Sequence, residues 1–149
     1  MDIKDKTVAV AESYSGKSEE DLLMLLARQD EVIKGNPDAA QDPTLDPEYA
    51  GAGMPAEALR SIGKRILRTW NKALFDLICT EKDDVQRKKL MDAFDLGETA
   101  LIGAVAAALL TVTSPAIAAA VAAIIVKKFL IPAGGVVCEV WEEAIEMDE

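Results

Sequence analysis

Residues 99–126 read TALIGAVAAALLTVTSPAIAAAVAAIIV, 28 positions without a charge between Glu98 and Lys127, eleven of them alanine. As one helix the tract would extend about 42 Å, more than the roughly 30 Å of a bilayer core. The Ser114-Pro115 pair argues against one helix, because serine suits an N-cap and proline the first helical turn. Two helices are expected, about 99–113 and 115–131, each apolar around most of its circumference and so requiring enclosure. Alanines on both, with Gly103 on the first, allow the backbones to approach closely as a hairpin. Each half falls short of the roughly 20 residues of a typical span, and alanine gains little on leaving water. A hairpin buried in protein is therefore the first reading. Insertion into lipid through Leu101, Ile102, Leu109, Leu110, Ile117, Val121, Ile124 and Ile125 is the alternative, with a membrane-associated location.

The flanking segments supply the cover. Ser18 followed by Asp21 reads as a capping box ahead of a helix over 22–34, with Leu22, Leu25, Leu26, Val32 and Ile33 on one face and Gly35 at its end. Residues 35–55 hold four of the six prolines and read as an acidic strap without regular structure. Pro55 suits the opening turn of a helix running to about Cys79, with Leu59, Ile62, Ile66, Trp70, Ala73, Leu74 and Leu77 on its apolar arc. Gly63 lies inside that arc, where a second backbone could come close. A weaker helical pattern covers 81–96, with Val85, Met91 and Phe94 apolar, an Asp84–Lys88 pair one turn apart, and Gly97 closing it. After Pro132 and Gly134-Gly135 a last amphipathic helix sets Val136, Val137, Val140, Trp141, Ala144 and Ile145 against Glu139, Glu142, Glu143 and Glu146. The expected fold is all-α: a compact bundle of about six helices around a central hydrophobic, alanine-rich hairpin at 99–131. A flexible leader at 1–17 precedes a single helical domain at 18–149. A hydrophobic hairpin in an amphipathic sheath resembles the general layout of helical pore-forming toxins and some membrane-active bacteriocins. No motif accompanies that resemblance, so it names no family.

Composition limits the chemistry. The 149 residues include no histidine and only 5% aromatics, which removes histidine acid/base catalysis, Ser-His-Asp and Cys-His pairs, and imidazole-bound zinc. No acid falls at an expected core position where burial would raise its pKa. No enzyme, no catalytic residue, no cofactor and no metal are expected, and the glutamates of the last helix read as a solvated face. Cys79 and Cys138 lack a metal-binding spacing and read as two core thiols in a reducing compartment. Residues 1–10 have no apolar run of the secretory type, so a cytoplasmic location is expected.

Two features invite binding. Residues 11–18, AESYSGKS, fit a relaxed phosphate-loop pattern after a candidate strand at 7–11, which would make the protein a nucleotide-binding switch. No later segment supplies the parallel sheet such a loop requires. The second feature is electrostatic. The formal net charge is −10, yet residues 58–75 carry five bases, Arg60, Lys64, Arg65, Arg68 and Lys72, and no acid. These share the side of the helix opposite its apolar arc. Unless the acidic strap neutralises them, they suit an acidic surface on a protein partner, and nucleic acid is disfavoured by the overall charge. The function expected is a non-enzymatic helical interaction or assembly module binding through that basic face, with a second copy of the chain as another candidate partner. A membrane-active effector and a nucleotide switch are the alternatives.

Overall fold

Seven helices form among the residues described in the computed structural model, which are 2–45, 47, 53–80, 84–133 and 137–148. They are α1 (Ile3–Ser13), α2 (Glu19–Gly35), α3 (Ala56–Phe75), α4 (Asp84–Leu96), α5 (Glu98–Leu109), α6 (Pro115–Ile125) and α7 (Val137–Asp148). α3 continues through a wider-wound π segment, Asp76–Thr80, and α6 through another, Val126–Leu130, and a last turn, Ile131–Ala133. No strand occurs among the described residues. The all-helical bundle expected from the sequence is present.

The alanine-rich tract turns back on itself at the expected place. α5 ends at Leu109, Ser114 stands at the N-cap in extended backbone, and Pro115 opens α6. All eleven residues of α6 are buried, and α1, α2, α3 and α5 all pack against it. No helix formed by the described residues is long and apolar enough to cross a membrane. Membrane association, and the membrane as a partner, are therefore corrected. Leu101, Ile102, Leu109, Ile117, Val121, Ile124 and Ile125 are buried against protein, and Leu110 is half-buried. The proline break is the physical reason, because it divides the apolar run into lengths that protein can enclose on every side.

The sheath differs from expectation at the amino end. Residues 3–13, read as part of a flexible leader, form α1, which Asp2 caps by accepting a 2.8 Å hydrogen bond from the Asp5 amide. α1 lies across both α5 and α6. At Gly103 a β-carbon would stand 2.6 Å from Glu12 Oε1 and 3.1 Å from Val8 Cγ1, so this glycine faces α1 rather than its hairpin partner α6, and a larger residue there would first displace the flexible Glu12 side chain. Gly63 behaves as expected, with the α2 backbone as the close neighbour: a β-carbon there would meet the Leu23 carbonyl oxygen at 2.2 Å. Ser18 caps α2 by accepting from the Asp21 amide at 3.1 Å. Gly97, with φ of 108°, provides the left-handed turn between α4 and α5.

Among the described residues of 35–55 a 3-10 turn, Pro37–Gln41, interrupts the strap, and the buried Gln29 donates from Nε2 to the Leu45 carbonyl at 2.8 Å. Asp46 and residues 48–52 lie outside the described residues, as do 81–83 and the Gly134–Val136 break. The side chains of Val85, of the Asp84 partner of Lys88, and of Glu146 are likewise outside the description. Cys79 and Cys138 are joined in a disulfide that ties the end of the α3 extension to the start of α7. This corrects the expectation of two free thiols and removes the cysteine-based argument for a reducing compartment, since disulfides persist mainly under oxidising conditions.

Candidate functional site

α3 carries the most strongly divided surface of the bundle. Its buried positions are Leu59, Gly63, Leu67, Asn71 and Leu74, whereas Ile62, Ile66, Trp70, Ala73 and Leu77 of the expected arc are half-buried. The buried line is thus rotated toward the basic side, because α2 seats against Gly63 and α7 against Asn71. Trp141 of α7 is completely buried, meets Phe75 edge-to-face at 5.5 Å between ring centres, and donates from Nε1 to Asn71 Oδ1 at 2.6 Å. An indole offers only a donor, so this bond fixes which end of the Asn71 amide faces it.

The five expected cations stand beside that line. Lys64, Arg65, Arg68 and Lys72 are exposed and Arg60 is half-exposed. None of the five forms an ion pair among the described residues. The acids of the described bundle that do pair serve other cations: Asp30 and Glu31 hold Lys34, Glu98 holds Lys127 at 3.8 Å, and Glu19 holds Lys128 at 3.6 Å. In the strap, Asp42 accepts from the Thr44 hydroxyl and amide. These bonds, with Lys6 nearby, hold its carboxyl below the usual carboxylate range. This described part of the strap therefore leaves the α3 cations uncompensated.

Between α3, the π segment after α6, and α7 lies a cavity of about 190 Å³. Lys64, Arg68 and Asn71 line it from α3 and Lys128 from the π segment, with Leu67, Phe129 and Ile145 as apolar wall. The sequence reading brings out Lys64 and Arg68 but misses Asn71 and Lys128. Asn71 carries one available signal, an uncharged polar residue where the apolar and basic arcs meet. Lys128 carries none, because only the fold brings it opposite α3.

The remaining candidates are placed as follows. Residues 11–13 end α1 and Tyr14–Gly16 form a 3-10 turn with Tyr14 buried, so the candidate strand at 7–11 is helix and no strand-to-helix phosphate loop exists there. That overturns the nucleotide-switch reading, because such a loop depends on the end of a buried strand to aim its amides. Glu139, Glu142 and Glu143 are exposed on α7. No group of three or more acidic or cysteine side chains able to hold a metal ion occurs among the described residues. Nothing in the structure supports an acidic protein surface or a second copy in particular as the partner. Comparison with family models, with curated proteins and with solved structures returns no match for this chain.

Proposed function

We propose that the protein is a non-enzymatic helical module that binds a protein partner through the basic face of α3. One observation carries this reading: five cations gathered on one helix side, without an ion pair among the described residues, in a chain of net charge −10. Such a patch gives an otherwise acidic molecule a direction. Long-range attraction would turn this side toward a partner, and like-charge repulsion would discourage approach elsewhere. The close α2–α3 approach at Gly63 and the buried Trp141–Asn71 bond support that face from behind. A preorganised surface loses less freedom on binding than one built on mobile loops.

The test uses Arg65 and Lys72, which belong to the face but not to the cavity wall. A partner is captured from the native host with the intact protein, purified, and titrated calorimetrically against wild type and the Arg65→Glu/Lys72→Glu variant. Reversal of two interfacial charges is expected to weaken binding about tenfold or more, and the wild-type affinity should fall as salt rises. Equal affinity of the two proteins at low salt would remove the face from the function.

A further inference from the structure

We propose that the cavity between α3, the π segment after α6 and α7 binds a phosphate monoester carried on a small organic molecule. The argument begins with Asn71, which is 4% exposed and whose Oδ1 is occupied by the Trp141 indole. Its NH2 group has no acceptor among the described residues, and the residue lines the cavity. Around it stand Lys64 and Arg68, two cations one helical turn apart that repel each other and lack an ion pair among the described residues. Lys128, on the opposite wall, is already held by Glu19.

Every polar group that these residues leave available is a hydrogen-bond donor, and the single acceptor, Asn71 Oδ1, is in use. The complement of such a cavity is a group rich in acceptors and negatively charged. Two cations without an ion pair among the described residues match a phosphate monoester, which carries about −1.5 to −2 at neutral pH, better than a carboxylate, which would neutralise only one. Guanidinium and ammonium donors are also the usual partners of phosphate oxygens. The apolar wall of Leu67, Phe129 and Ile145 gives the organic part a place to rest. A small molecule suits this recessed space better than a phosphorylated protein segment. The inference shares Lys64 and Arg68 with the docking reading but not Arg60, Arg65 or Lys72, so different variants test the two.

Isothermal titration of the intact, disulfide-bonded protein with phenyl phosphate, benzoate and a phosphoserine peptide tests the assignment. Phenyl phosphate is expected to bind one to one, and benzoate about tenfold more weakly. Lys64→Gln and Arg68→Gln, both at exposed positions, should each weaken phenyl phosphate about tenfold, whereas Lys89→Gln, on the surface of α4, should not. Asn71→Asp keeps an acceptor for Trp141 while replacing the NH2 donor by an oxygen. It should abolish binding with the near-ultraviolet signal of Trp141 retained. Absence of saturable phenyl phosphate binding, equal affinity for benzoate, or equal loss in Lys89→Gln would overturn the proposal. Tighter binding of the phosphoserine peptide than of phenyl phosphate would overturn the small-molecule assignment.

Discussion

At Gly63 two tendencies oppose each other, and geometry decides between them. Alanine is the better helix former by about 1 kcal/mol, so an open helical glycine gains from a methyl group. Here the methyl would be 2.2 Å from the Leu23 carbonyl oxygen and 2.8 Å from its carbon, which are backbone atoms that no rotamer change can move aside. Gly63→Ala is therefore expected to destabilise the protein by about 1–3 kcal/mol, read as a lower urea midpoint at unchanged slope. Stabilisation would mean that α2 and α3 can part without cost. This position is legible in the sequence, since a glycine inside an apolar helical arc has few other uses. Asn71 is not legible in the same way. Its burial depends on an indole seventy positions further along the chain, and no local pattern encodes that meeting.

Among the elements, α1 and the disulfide show where local reading fails. α1 exposes Ile3, Lys4, Asp5 and Lys6 in sequence and offers only Thr7 and Ala11 as buried positions. Its periodicity is too sparse to announce a helix, and it is held by the groove that α5 and α6 form beneath it. α2, α3 and the α5–α6 hairpin, by contrast, carry caps, a proline break and continuous apolar faces that specify them locally. The disulfide joins residues 59 positions apart, and sequence spacing alone cannot say that two distant cysteines meet. Closing a loop of that length restricts the unfolded chain, so Cys79→Ser/Cys138→Ser is expected to lose about 2–4 kcal/mol. Thermal unfolding with and without reductant checks this: the reductant should lower the midpoint of the wild type and leave that of the double variant unchanged.

For the molecule as a whole, α6 sets the spacing of everything around it. Four helices rest on a rod whose side chains are mostly methyl groups, so an added side chain pushes on several neighbours at once. Ala120→Leu, at a position with no exposure, is expected to cost about 1–3 kcal/mol through overpacking. Near-ultraviolet circular dichroism and urea unfolding should show a loosened, less cooperative state, and an unchanged melt would mean that the centre has room to spare. The same enclosure divides the labour of the chain. A rod with no outward side cannot be read by any visitor, so its residues are free to drift among small oily side chains as long as their volume is conserved. Whatever discriminates one visitor from another must then be written in the outer coat, which is where the proposed docking face on α3 belongs.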